Sequence, residues 1–208
     1  VIDLGECSQK VGVPTKESGH IAFQSLTKAL QFMDIQKSDF LITAPLSKEA
    51  FKLAEIDFVG HTEILAKWCN NSKDFIMMFL SENMKCALVT IHEPLSKVSQ
   101  LITHELIELK IRVIKQSLMR DFRILNPRIA ILGLNPHAGE NGLLGTEENS
   151  VLLPIIEKNK DILYGPFPSD AFFGTKQYSD YDLVLAMYHD QGLIPFKMLN
   201  FNNGVNFT

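Results

Sequence analysis

Short apolar runs alternate along this chain with stretches of helical period, and that alternation limits its possible folds more than any other feature. The runs DFLITAPL (39–46), DFIMMFL (74–80), MKCALVTIH (84–92), RIAILGL (128–134), DILYGPF (161–167) and DLVLAMY (182–188) have the length and residue types of strands. Between them, residues 20–34 set Ile21, Leu26, Ala29, Leu30 and Met33 on one helical face. Residues 104–122 do the same with Ile107, Ile111, Ile114 and Leu118. Further helices are expected over 60–70, with Thr62 as N-cap, and over 146–160, where acids suit the first turn. A short polar turn makes 74–80 and 84–92 antiparallel neighbours. The alternation as a whole predicts an α/β fold with a mixed, largely parallel sheet. No internal repeat and no clear linker divides the chain, so residues 1–208 read as a single region.

Composition narrows the function classes. The 208 residues are 46% hydrophobic and 21% charged, an ordinary balance for a soluble chain with a sizeable core. The formal net charge is −4, and the 20 lysines and arginines form no dense cluster. Neither a nucleic-acid footprint nor a polybasic membrane patch is therefore expected. No apolar run approaches a membrane span, and no signal-peptide core is present. Cys7, Cys69 and Cys86 are odd in number and lack C-x-x-C spacing, which reads as reduced thiols in a cytoplasmic protein.

The histidines carry the chemical signal. His20 and His104 stand at apparent helix starts and read as surface or capping residues. His92 ends the run CALVTIH, His137 lies just beyond RIAILGL, and His189 directly follows LVLAMY. His61 opens a helix after a Phe-Val-Gly turn. Open α/β sheets bind ligands outside the carboxyl ends of their strands, where histidines from three strands would meet. Three neutral imidazoles suit a divalent transition metal with positions left for substrate. The competing reading of each one is a structural hydrogen-bonder at a strand end. The glycines of NPHAGENGLLGTEE (135–148) would leave backbone room for a ligand.

Other polar residues fall at the same edge. Thr43 lies late in the first run and Lys48 just after it, and Lys48 reads either as a phosphate or carboxylate binder or as a solvated helix-start lysine. Asp170 reads either as an orienting or basic carboxylate or as the N-cap of PSDAFF. Asp190 adjoins His189. Neither G-x-G-x-x-G nor a P-loop occurs.

The ordered motifs TAPLSK, GHTE, ALVTIHEPL, GLNPHAGENGLLGTEE, GPFPSDAFF and AMYHDQGLIPFK resemble those of the 4-hydroxythreonine-4-phosphate dehydrogenase family of vitamin B6 biosynthesis. The resemblance implies an α/β/α fold of two interleaved lobes, like isocitrate and isopropylmalate dehydrogenases, and a homodimer with its active site at the subunit interface. It assigns His92, His137 and His189 to a divalent metal (zinc, cobalt or magnesium), with His189 reaching into the partner's site. It assigns substrate contact to His61, Thr62, Lys197 and Asn206, the last two near the phosphate. Asp170 and Lys48 are the candidate catalytic groups. The family's opening Gly-Asp-Pro motif and its continuation beyond the position of Thr208 are not in these residues, so the resemblance is to the family's central part.

The implied activity is NAD- or NADP-dependent oxidation of 4-phosphooxy-L-threonine, followed by loss of CO2 to give 3-amino-2-oxopropyl phosphate. A metal at the substrate's hydroxyl would favour both steps. The alternatives are a related dehydrogenase of four-carbon sugar-acid 4-phosphates, a metal-dependent hydrolase, and a ligand-binding domain without catalysis.

Overall fold

Helices dominate the described residues of the first third of the chain, and among the described residues strands appear only beyond it. The computed structural model describes residues 2–6, 11–36, 41–58, 60–69 and 74–208. Its chain divides into two compact units, Val1–Lys73 and Asp74–Thr208.

In the first unit, α1 (Lys16–Gln36), α2 (Lys48–Leu53) and α3 (His61–Trp68) enclose a small core of Leu26, Leu30, Phe51 and Ile64. Thr15 and Ser18 cap α1 reciprocally, each side-chain oxygen accepting from the other's main-chain N–H at 3.1 and 2.9 Å. Gly19 lets α1 touch the backbone of α2 at Ala50. The strand expected over 39–46 does not form in its described part. Residues 41–47 are irregular, Ile42 is 85% exposed, and residues 39 and 40 lie outside the described residues. A strand requires a ladder partner, and every described strand belongs to the second unit. Gly60, not Thr62, caps α3 and makes no side-chain bond.

The second unit holds a six-stranded sheet in the order β4-β3-β5-β2-β1-β6. The strands are β1 (Met77–Leu80), β2 (Lys85–Leu88), β3 (Ile129–Leu132), β4 (Leu163–Phe167), β5 (Leu183–Ala186) and β6 (Val205–Phe207). Strands β2, β5, β3 and β4 are parallel neighbours in that order, while β1 runs antiparallel to both β2 and β6. The mixed, largely parallel α/β sheet is thus as expected. Helices α4 (Leu95–Leu101), α5 (His104–Arg120), α6 (Leu153–Lys158), α7 (Ser169–Gly174) and α8 (His189–Asn200) complete the unit.

Strand side chains alternate between two buried layers, as period two requires. Ala87, Ile129, Ile131, Leu183 and Leu185 meet Ile107, Ile111, Ile114 and Leu118 of α5 and Ile155 of α6. Cys86, Leu88, Ala130, Leu132, Val184 and Ala186 meet Phe172 of α7 and Leu193 and Phe196 of α8. Helical cover on both faces is what parallel strands demand. Helix α8 was not expected, because the apolar segment around Pro195 shows little amphipathic period.

Cys69 is exposed and Cys86 buried, both as free thiols, and Cys7 lies outside the described residues. Burial alone pushes the Cys86 thiol up to about 12. No described helix is long and apolar enough to cross a membrane.

Helix α8 sits on the sheet through Gly192. A Cβ there would stand 2.7 Å from Cys86 Sγ, 2.9 Å from Leu88 Cδ2 and 3.0 Å from the Ala186 Cβ. Gly192→Ala is expected to destabilise the fold by about 1–3 kcal/mol, the usual cost of overpacking. Adding Cys86→Ala should recover part of that loss in urea denaturation. Equal stability of Gly192→Ala and the parent protein would show that α8 is not seated this tightly.

Candidate active site

Four parallel neighbours, β2, β5, β3 and β4, end on the same side of the sheet, and most of the candidate residues follow those ends. His92 lies beyond β2, His189 beyond β5, His137 beyond β3 and Asp170 beyond β4. Pairing of β2 with β5 extends toward the histidines. Val89 N–H donates to Ala186 O at 2.9 Å, and Thr90 donates to Met187 O from both its main-chain N–H (3.1 Å) and its hydroxyl (2.8 Å). His92 and His189 are brought together, with ring centroids 5.7 Å apart.

His189 is the first residue of α8, and its Nδ1 lies 2.7 Å from Asp190 Oδ1. A carboxylate on Nδ1 orients the ring and leaves Nε2 for a ligand, the usual second partner of a metal-bound histidine. Two imidazoles that share one ion at metal–nitrogen distances of about 2.0–2.1 Å must approach this closely. The donor chemistry therefore fits a divalent transition metal as a pair. Among the described residues no group of three His, Cys, Asp or Glu side chains is assembled around one point, so His137 does not complete the set within this chain.

His137 reaches the edge on an unusual support. From His137 to Asn141, φ is 52°, 52°, 78°, 44° and 57°, one turn of left-handed helix. Each L-residue other than glycine in that conformation costs roughly 1–2 kcal/mol, and only Gly139 escapes the cost. Three main-chain bonds close the turn locally: Ala138 N–H to Asn135 O (3.1 Å), Leu143 N–H to Glu140 O (3.2 Å) and Leu144 N–H to Gly139 O (3.1 Å). Asn135 ties the loop's two ends. Its main-chain N–H donates to Glu148 Oε1 at 2.8 Å, and its Nδ2 donates to Glu147 Oε2 (2.8 Å) and Glu148 Oε2 (2.9 Å). Its own main-chain N–H and then the Asn135 amide hold the Glu147 carboxyl below the usual range, against partial burial. The loop's three glycines meet steric demands of the loop itself. Gly139, Gly142 and Gly145 take positive φ, and a Cβ on Gly139 would lie 2.6 Å from Glu148 Oε2.

Asp170 is exposed in the first turn of α7, whose N-cap is Pro168 without a side-chain bond, so the capping alternative for Asp170 is not what the structure shows. Lys197 is exposed on α8 beside Phe196, whose ring lies 5.8 Å from that of Phe79. Asn206, exposed on β6, is the cross-strand partner of Phe79, and directly opposed residues share a face. Asn206 therefore shares the α8 side of the sheet with Phe79, while Lys197 is exposed on α8 itself. In the first unit, Lys48 opens α2 and is exposed, and His61 and Thr62 open α3 half-buried. Thr43 is exposed on the irregular segment before α2. His104 is exposed at the start of α5, as expected of a surface residue, and its Nε2 lies 2.8 Å from Ser150 O.

Sequence reasoning missed Gln191. Its Nε2 donates to Gly133 O (2.6 Å) and Ser169 Oγ (2.8 Å), and its Oε1 accepts from Met187 N–H (2.6 Å). One amide thus ties the ends of β5 and β3 to the start of α7. Its only sequence signal was its place two residues after His189. Gln191→Ala is expected to cost about 1–3 kcal/mol, because main-chain groups at two strand ends lose their partner. Amide exchange at Met187 should accelerate more than exchange in α5. Unchanged exchange at Met187 would rule this tie out.

The family model "Pyridoxal phosphate biosynthetic protein PdxA" matches residues 1–208. A 4-hydroxythreonine-4-phosphate dehydrogenase of Bacteroides thetaiotaomicron is 40% identical over 198 residues, covering 94% of this chain and 54% of that protein. One from Hydrogenobaculum sp. is 44% identical over 196 residues, covering 94% and 61% respectively. The crystal structure of 4-hydroxythreonine-4-phosphate dehydrogenase from Klebsiella pneumoniae superposes with a TM-score of 0.81 at 37% identity, over 95% of this chain and 60% of that one. The chain therefore spans between half and two thirds of the length of these relatives. The α/β, isocitrate-dehydrogenase-like class expected from the motifs is the fold of these neighbours. The chain belongs to the family of pyridoxal phosphate biosynthetic protein PdxA.

Proposed function

We propose that this protein acts as an NAD- or NADP-dependent 4-hydroxythreonine-4-phosphate dehydrogenase, oxidising and decarboxylating 4-phosphooxy-L-threonine to 3-amino-2-oxopropyl phosphate in a cytoplasmic homodimer. The observation that carries this reading is that similarity to dehydrogenases of that name runs across 94% of this chain in the Bacteroides relative. The histidines at the carboxyl edge supply a chemical reason. His92, His137 and His189 would hold a divalent zinc, cobalt or magnesium ion, the set being completed across the subunit interface because His137 does not join the other two within one chain. Such an ion supplies Lewis acidity toward the substrate's hydroxyl and toward the developing negative charge after CO2 leaves. A bound nicotinamide cofactor would supply the hydride acceptor.

The protein's own residues do the rest. Lys197 pairs with the phosphate and Asn206 donates to it, which fixes the reacting carbon, a positioning effect. Asp170 takes the hydroxyl proton or orients an imidazole that does so. In the first unit, His61 and Thr62 contact substrate and Lys48 acts as the second catalytic group.

Lys197 provides the test. Deleting a charge-assisted hydrogen bond costs roughly 1.5–3 kcal/mol, so Lys197→Met should lower kcat/KM about ten- to a hundredfold, followed by NADH absorbance. On the substrate without its phosphate the same change should have little further effect. Equal losses on both substrates would refute the phosphate assignment, and absence of both NADH and NADPH formation by the parent protein would refute the activity.

The dimer is supported by the outer side of α8, where Ile194, Met198 and Leu199 are 58%, 82% and 41% exposed and Phe201 just beyond is 80% exposed. Contiguous apolar surface of this kind marks interaction sites. Sedimentation should give about twice 23.4 kDa for these 208 residues at micromolar concentration. Met198→Glu should shift the mass toward monomer. A parent protein that sediments as a monomer would contradict the dimer.

A further inference from the structure

Glu148 is 1% exposed, more buried than Thr90, Lys110, Ser117 or Asn200, the other buried polar side chains of the described residues. Asn135 satisfies both of its oxygens, one from the main chain and one from the side-chain amide. Among the described residues it takes part in none of the ion pairs. A buried carboxyl without a cation is an expensive way to fill space, and an apolar side chain of similar volume would serve packing as well. What an apolar side chain cannot do is grip Asn135 at the loop's start while lying against Gly139 in the middle of the left-handed turn. Gly133, directly after β3, also packs against it: a Cβ there would lie 3.3 Å from Glu148 Oε1.

We propose that Glu148 is a positioning residue: through Asn135 and Gly139 it holds the left-handed turn that presents His137 at the sheet edge, and so governs the contribution of His137 to divalent-cation binding. The inference rests on the reading of His137 as a ligand, and it concerns a side chain two strand-ends away from His92. Glu148 itself touches neither cation nor substrate. The sequence signal it left, an acid at the start of a helix, belongs to a different role. The structure instead places Glu148 at the first residue of a single wide turn, Glu148–Leu152, leading into α6.

The test uses Co(II) as the probe in the full chain, with two readouts. In Glu148→Gln, the Co(II) dissociation constant should rise about ten- to a hundredfold, the usual effect of losing an outer partner of a ligand. His137→Ala should weaken binding at least as much, and the double variant should be no weaker than His137→Ala alone, since both act through one imidazole. Independently, the NMR backbone shifts and HN–Hα couplings of residues 137–141 should lose their left-handed signature in Glu148→Gln. If that signature persists, or if Glu148→Gln binds Co(II) like the parent while His137→Ala does not, the positioning role is wrong. If His137→Ala binds Co(II) as the parent does, the ligand assignment fails instead, and the NMR readout still decides whether Glu148 sets the turn. Should Glu148→Gln not fold, Asn135→Ala takes its place with the same readouts. Failure of both variants to fold would assign Glu148 to stability alone and overturn the proposal.

Discussion

Parallel pairing of β2, β5, β3 and β4 is the constraint on which the rest of the second unit depends. Parallel neighbours cannot be joined by tight turns, so each needs a crossover and each leaves its carboxyl end free on a common edge. Both faces must then be covered, which explains why strand residues of either parity are buried against helices. The polar side chains have one place left to gather. His92, His137, His189 and Asp170 gather there because the topology permits little else.

That edge is held by polar ties rather than by apolar packing. Gln191 links the ends of β5 and β3 to the start of α7, and Asn135 links the two ends of the loop between them. Such ties are worth only about 0.5–1.5 kcal/mol each in net stability. Their value is directional: each fixes a loop end to within a hydrogen-bond length. The left-handed turn at His137–Asn141 shows the opposite sign, a local cost accepted where a side chain must be aimed.

Much of this was legible in the residues, and the exceptions have physical causes. The strand runs of the second unit were readable because buried strands are apolar throughout, as in RIAILGL and DLVLAMY. The run DFLITAPL looked the same and forms no strand in residues 41–47, because pairing is a property of two segments and its composition describes one. Helix α8 was hidden by Pro195 and by apolar residues on several sides, three of which face outward. The histidines were readable from their position after strands, and the meeting of His92 with His189 follows from the adjacency of β2 and β5. Glu148 and Gln191 were not readable, since each owes its role in large part to partners 13 to 58 positions away.

Cys86 gives the second unit an internal clock. Its sulfur lies beneath Gly192, sealed by α8, and its thiol is pushed up to about 12, so at neutral pH it is neither accessible nor ionised. Alkylation requires α8 to lift from the sheet first. Because α8 begins with His189, the helix that shields the sulfur also carries a candidate ligand. Any occupant that grips that imidazole will slow the lifting in proportion to its affinity, by mass action. The alkylation rate of one silent thiol therefore reads out occupancy at the far end of the same helix.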